Sequence, residues 1–200
     1  MSSNIGVMGH PIGHTKSPIF QQAGLNELGI DETFEAWDVL PEDLEAKVAT
    51  FREKGFIAAC VTLPHKQAVI PMVDELTEAA ESVGAVNWIF NRDGKLIGHN
   101  TDCNGFLRAL KEEAGFDPKG ADAVVFGAGG AARAIVYALK TAGVNRLTIA
   151  NRTVEKAQAL ANDFSEGRFK PTATGMSRDE LSNYVPYANL LVNTTSLGMA

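Results

Sequence analysis

The stretch Gly127-Ala128-Gly129-Gly130-Ala131-Ala132 constrains the fold of this chain more than any other. It follows the apolar run Val124-Val125-Phe126 and opens a segment with helical apolar spacing. Glycines let the backbone turn sharply and approach a ligand closely. The start of the helix offers free N–H groups and the positive end of a dipole, which suits a phosphate. Ala132 stands where a third small residue allows close packing of helix on strand. The pattern predicts a strand at 122–126, a helix at 130–142 and a strand at 146–150, then a helix at 154–164 and a buried parallel strand at 190–192. That is the strand–turn–helix setting a dinucleotide fingerprint requires.

The tip of the second strand bears on which dinucleotide fits. A site for NAD usually places an acid there to hold the ribose 2′-hydroxyl. Here the stretch is Ala150-Asn151-Arg152-Thr153, without an acid. The Arg152 guanidinium suits a bidentate contact with a 2′-phosphate, and Lys156 adds charge one turn into the next helix. Cations at a helix start are electrostatically disfavoured unless an anion is expected. NADP is therefore favoured over NAD.

Upstream, short β-like runs alternate with amphipathic stretches, the pattern of an α/β protein. Strands are expected at 5–9, 33–39 and 56–63, and helices at 17–28 and 41–54, the latter with Pro41 in its first turn and Gly55 at its end. A short helix ended by Pro71 follows, then a helix at 75–82 and a hairpin of 86–90 with 96–99 turned at Asp93-Gly94. A helix at 102–114 leads into the turn-rich 115–120. Two domains are expected, residues 1–101 and 102–200.

Composition narrows the partners. The formal charge is −6, with 18 cationic residues spread among 24 acidic ones and no basic run. A nucleic-acid role is therefore not expected, because phosphate backbones are held by clustered Lys and Arg. No apolar run approaches the ~20 residues a membrane span needs. Cys60 and Cys103 have no CxxC spacing and read as reduced thiols of a cytoplasmic protein without a leader peptide.

Chemistry-bearing residues gather at predicted strand ends. Val61-Thr62-Leu63-Pro64-His65-Lys66 ends a buried strand, and Lys66 falls at the predicted start of the short helix, the wrong end for a cation. Such local rule-breaking is commoner at functional sites than elsewhere. Gly98-His99-Asn100-Thr101-Asp102 likewise joins a strand to a helix, although Asp102 also suits an ordinary first helical turn. Thr15 and Ser17 are either caps of the helix they precede or hydroxyl donors to a carboxylate. His10 and His14 have i,i+4 spacing, but Pro11 and Gly13 oppose the helix that would align them, so no metal is expected.

Taken together, Gly9-His10-Pro11-Ile12-Gly13-His14-Thr15-Lys16-Ser17-Pro18, Val61-Thr62-Leu63-Pro64-His65-Lys66, Gly84-Ala85-Val86-Asn87, Asn100-Thr101-Asp102, Gly127-Ala128-Gly129-Gly130-Ala131 and Asn151-Arg152-Thr153 resemble, in order, the motifs of the shikimate dehydrogenase family and its quinate/shikimate relatives. Asn193-Thr194-Thr195-Ser196-Leu197-Gly198-Met199 is similar to that family's nicotinamide-side loop. The resemblance covers essentially the whole chain. It implies an N-terminal α/β substrate domain followed by a Rossmann-like NADP-binding domain. It also implies reversible NADP-dependent reduction of 3-dehydroshikimate to shikimate, on the route to aromatic amino acids, by a monomer or homodimer. Lys66 and Asp102 would be the catalytic pair; Thr15 and Ser17 would bind the substrate carboxylate, with Thr62, Asn87 and Thr101 completing the polar pocket. Gly127, Ala128, Gly129, Gly130, Ala131, Asn151, Arg152, Thr153, Lys156, Thr194, Thr195, Ser196 and Met199 would hold the cofactor.

Some positions depart from the family. Thr15 stands where Ser is usual, and His65 where an aromatic residue or Asn is common. The family continues past the Gly198-Met199 loop with a strand and helices that return to the first domain, so a missing C-terminal segment is expected here. A quinate or aminoshikimate paralogue and a non-catalytic dinucleotide-binding module are the competing readings.

Overall fold

The computed structural model describes residues 4–198. It divides into two compact units, the first ending at Thr101 and the second spanning Asp102–Gly198.

In the first unit, β1 (Ile5–Gly9) lies between β2 (Phe34–Asp38) and β3 (Ala58–Val61), parallel to both. The hairpin β5 (Trp88–Arg92) and β6 (Lys95–His99) continues the sheet antiparallel to β3. The two-residue β4 (Glu75–Leu76) closes the far edge beside β6. Every residue of β1 is buried, as a central strand covered on both faces requires. Ile5 and Val7 face Leu25 of α1 (Ser17–Glu27), while Met8 faces Leu44, Val48 and Phe51 around α2 (Leu44–Thr50). The hairpin turns at Asp93-Gly94, both at positive φ, as its Asp-Gly signal predicts.

The helix expected at 41–54 is shorter. Pro41–Asp43 is a 3₁₀ turn, α2 stops at Thr50, and the Asn91 amide captures the carbonyl of Phe51 at 2.7 Å. The helix expected at 75–82 divides into β4 and α3 (Glu78–Val83), with Thr77 capping Ala80 N–H. No helix forms immediately after Pro64. Residues 63–69 are turns, and Pro71 lies inside the 3₁₀ turn Ile70–Met72 instead of ending a helix. Both His10-Pro11 and Leu63-Pro64 are cis.

The second unit carries a four-stranded parallel sheet. α4 (Asp102–Arg108) passes into a π-helical turn, Ala109–Glu113. β7 (Asp122–Phe126), α5 (Gly130–Ala142), β8 (Arg146–Ala150) and α6 (Val154–Phe164) occupy the expected ranges. After β9 (Thr172–Thr174) and α7 (Arg178–Leu181), the chain returns to β10 (Leu190–Asn193). The strand order is β10-β7-β8-β9, so the connection direction reverses between β7 and β10. Ala123, Val125, Leu147 and Ile149 pack against Ile135, Val136, Leu139, Leu160 and Phe164 of α5 and α6. β10 pairs parallel with β7 but is not buried as expected; among the described residues no further strand pairs with it, and Leu191 is half exposed. Further large apolar side chains stand exposed in both units, among them Phe20 and Leu28 in the first and Tyr187 and Leu197 in the second.

Candidate active site

In the second unit, the carboxyl ends of β7 and β10 flank the switch point where doubly wound sheets place their ligands. Gly127 leaves β7 at φ 111°, and a Cβ there would collide with the Thr194 hydroxyl. Thr194 is fixed beside it, its N–H and its hydroxyl both donating to the Phe126 carbonyl, at 2.8 and 2.6 Å. Gly129 is the N-cap of α5. It has no side-chain cap, and a Cβ built on it meets no atom within 4 Å. The first-turn N–H groups of α5 thus face open space over a residue with no side chain. Ala132 is fully buried against the sheet, which is the packing demand on the third small residue.

The loop after β10 is organised by Asn193, a residue the sequence reading placed in a motif without giving it a role. Its Oδ1 accepts from the N–H and hydroxyl of Thr195 at 3.0 and 2.7 Å, and its Nδ2 donates to the Leu197 carbonyl at 3.0 Å. Ser196 lies inside this knot; Met199 lies outside the described residues. After β8, Asn151 donates from its side chain to the Thr153 carbonyl at 2.9 Å and from its backbone to Thr174. Arg152 and Lys156 are exposed around the start of α6, with no acidic partner among the described residues. Open amides at one helix start and two cations at the next fit a dinucleotide with a 2′-phosphate.

In the first unit, one edge of the sheet collects the carboxyl ends of β1, β3 and β6 and the start of β5. Thr62 follows β3, its N–H bonded to the Met8 carbonyl at 2.9 Å. Asn87 precedes β5; it is buried and donates from Nδ2 to Thr101 Oγ1 at 2.9 Å, while its Oδ1 accepts from Thr101 N–H at 3.0 Å. Thr15 lies on the loop leaving β1 and Ser17 opens α1, the Thr15 hydroxyl donating to Ser17 Oγ at 3.2 Å. Thr15 Oγ1 also accepts from the Ser17 N–H, whereas Lys16, the N-cap of α1, makes no side-chain cap.

Lys66 belongs to the turn after β3, and its carbonyl accepts from Val86 N–H at 2.7 Å. Lys66 therefore does not stand at the expected helix start, and no helix dipole acts on its ammonium there. Asp102 opens α4 directly after Thr101. His65 is a buried strut whose Nε2 donates to the Val39 carbonyl at 2.7 Å, joining the exits of β2 and β3. Asn100, also buried, donates to the Ala85 carbonyl at 2.9 Å. Neither structural role was read from the sequence, where a polar residue among apolar ones at a strand end was the available signal. His10 pairs with Asp38 at 2.9 Å. Among the described residues no cluster of three or more His, Cys, Asp or Glu could hold a metal.

A mixed α/β unit followed in sequence by a parallel sheet with a glycine loop at its switch point defines a two-unit α/β protein whose second unit is Rossmann-like. Residues 7–89 match the shikimate dehydrogenase substrate binding domain, and residues 109–197 match shikimate / quinate 5-dehydrogenase. The NADP(+) shikimate dehydrogenase of Methanopyrus kandleri is 45% identical over 98% of this chain and 68% of its own length. Shikimate dehydrogenase from Aquifex aeolicus superposes with a TM-score of 0.87 at 34% identity, over 98% of this chain and 70% of that one. The Thermus thermophilus enzyme, solved with NADP(H) and shikimate, gives a TM-score of 0.81 at 36% identity, over 97% and 69%. The chain belongs to the shikimate dehydrogenase family and spans about two thirds of the length of these relatives.

Proposed function

We propose that this chain carries the substrate and cofactor sites of a shikimate dehydrogenase, which interconverts 3-dehydroshikimate and shikimate with NADP. The observation that carries the reading is the uncapped start of α5 behind Gly127 and Gly129, with Arg152 and Lys156 beside the next helix start. Bound NADP supplies or accepts the hydride. Gly127 through Ala131 would hold its pyrophosphate, Arg152 and Lys156 its 2′-phosphate, Asn151 and Thr153 the adjoining ribose, and Thr194, Thr195 and Ser196 would wall the nicotinamide.

The first unit binds the ring. Thr15 and Ser17 donate their hydroxyls to the substrate carboxylate, Thr15 turning its proton from Ser17 Oγ, 3.2 Å away, to the ligand. Thr62, Asn87 and Thr101 hydrogen-bond the ring hydroxyls. Lys66 moves a proton to or from the reacting oxygen, and Asp102 orients that oxygen and a neighbouring hydroxyl. The cytoplasm is the compartment proposed. Neither Cys60 nor Cys103 is in a disulfide, and no helix among the described residues is long and apolar enough to cross a membrane.

The test follows nicotinamide reduction optically, with shikimate plus NADP⁺ and quinate plus NAD⁺ in parallel. Reduction with the first pair, lost in Lys66→Ala while NADP⁺ binding persists, supports the reading. Reduction by quinate and NAD⁺ alone overturns the substrate and cofactor assignment. NADP⁺ binding with no reduction of either cofactor shows a binding module instead, and unchanged reduction in Lys66→Ala removes Lys66 from the catalytic pair.

A further inference from the structure

We propose that the second unit carries a separate site for a small organic anion, a carboxylate or phosphate borne on a flat apolar ring, at the sheet edge opposite the glycine loop. A cavity of about 420 Å³ opens there, a volume within the range of small-molecule pockets. It is lined by the amino ends of β7 and β8, by 168–170, by Thr172 and by the return segment 183–188. The dinucleotide loop leaves the carboxyl ends of the same strands, so this cavity does not belong to the candidate active site.

Strand register shows what faces the cavity. Val124, Thr148 and Thr172 form one row across β7, β8 and β9. Their neighbours Ala123, Val125, Leu147 and Ile149 point the other way, into the core beneath α5 and α6. Thr148 is 7% exposed, and its hydroxyl has no hydrogen-bond partner among the described residues. That hydroxyl is open to the cavity and not sealed away, since no buried side-chain polar atom among the described residues lacks a partner, and it can give or take a hydrogen bond there.

The charge around the cavity is one-sided. Its single acid, Asp122, is already bound by the Arg146 guanidinium and by the Asn145 amide at 2.8 Å. Arg168 and Lys170 have no acidic partner among the described residues. The backbone that carries Arg168 is held in place. It sits in a turn closed by hydrogen bonds of 2.9 and 2.8 Å between the backbones of Glu166 and Phe169. Tyr184 and Tyr187 bring rings to the same space, with Val124 and Phe169 as apolar wall. Two available cations, one open hydroxyl and aromatic walls match an anionic head on an apolar ring.

The test is independent of the proposed dehydrogenase activity. The full chain, ¹⁵N-labelled, is titrated with phenyl phosphate and, separately, with 4-hydroxybenzoate; inorganic phosphate and benzyl alcohol serve as head-only and ring-only controls. The expected result is saturable binding of one or both ring anions, tighter than either control, with amide shifts at 146–148, 168–172 and 184–188. The tighter of the two identifies the head group. Arg168→Ser with Lys170→Ser, both exposed positions, should weaken binding roughly tenfold or more while the melting temperature holds. The proposal is overturned by absence of saturable binding, by shifts confined to 127–132, by equal affinity for inorganic phosphate, or by unchanged affinity in the double variant.

Discussion

Asn87 holds Thr101 at two points, taking the backbone N–H on Oδ1 at 3.0 Å and giving Nδ2 to the hydroxyl at 2.9 Å. The Asn87 backbone is itself tied on both sides, to Val61 N–H and to the His99 carbonyl. One buried amide thus sets the spacing between the ends of β3 and β6 and fixes the residue just before Asp102. Asn87→Ala should cost about 1–3 kcal/mol in urea unfolding, because it removes two hydrogen bonds to Thr101, each worth about 0.5–1.5 kcal/mol. Thr101→Val leaves the backbone bond intact and should cost less. The reverse order would show that the hydroxyl contact, not the backbone one, organises this edge.

Gly127 and Gly129 separate strain from obstruction. At Gly127 an alanine would sit at φ 111° and strike Thr194, so Gly127→Ala should destabilise the second unit by about 1–3 kcal/mol. At Gly129 the added methyl meets open space. Gly129→Ala should leave thermal stability nearly unchanged and weaken NADP⁺ binding, because the methyl occupies the space a pyrophosphate would use. Calorimetric melting and cofactor titration of the two variants check the contrast; equal NADP⁺ affinity in Gly129→Ala and the parent would remove this loop from the cofactor site.

Arg152 is exposed at the tip of β8, without an acidic partner among the described residues, so its removal should disturb the fold little. If it holds a 2′-phosphate, Arg152→Ala should lose roughly 10- to 100-fold in NADP⁺ affinity, the worth of a charge-assisted contact. NAD⁺ affinity should stay where it was. Parallel titrations read the ratio directly, and equal losses for both cofactors would mean that Arg152 supports the ribose or the loop.

The second unit was legible to the residue in β7, α5, β8 and α6 because local signals agreed there: apolar strands, a glycine turn and amphipathic helices with marked ends. Where the reading failed, tertiary hydrogen bonds had redirected the backbone. The Lys66 carbonyl, which a helix would give to Ile70 N–H, goes to Val86, and Ile70 bonds to Gln67 instead. β4 exists only because Glu75 and Leu76 pair with Ile97 and Gly98 of β6, a partner about twenty residues away. β9 is three residues of Thr-Ala-Thr with no apolar signal of its own, and is defined by pairing with β8. The candidate site residues stand in the sequence as polar positions at strand ends. The struts behind them, His65 and Asn100, were not legible there, because their partners are backbone carbonyls that no side-chain pattern records.

The Arg52–Asp74 pair gives a pH-dependent prediction. Arg52 donates to Asp74 Oδ2 at 2.5 Å and to the Gly94 carbonyl at 3.1 Å, and Asp74 Oδ2 also accepts from Leu96 N–H at 2.7 Å. The pair thereby pins the β5–β6 hairpin to the segment before β4. The Arg52 hydrogen bond, and next the Leu96 N–H, hold the Asp74 carboxyl below its ordinary value of 3.8. A carboxyl whose pKa is depressed on folding binds its proton more readily when unfolded, so its stabilisation is fully present above the unfolded value. That stabilisation is lost as pH falls through the lower folded value. Asp74→Asn should therefore be less stable than the parent at neutral pH, and the gap should close only on acidification below 3.8. Salt should narrow the neutral-pH gap as well, because both side chains are partly exposed. Urea midpoints across the acid range measure both effects. A gap constant from neutral to acid pH would mean that Asp74 acts through its shape and its bond to Leu96, and not through its charge.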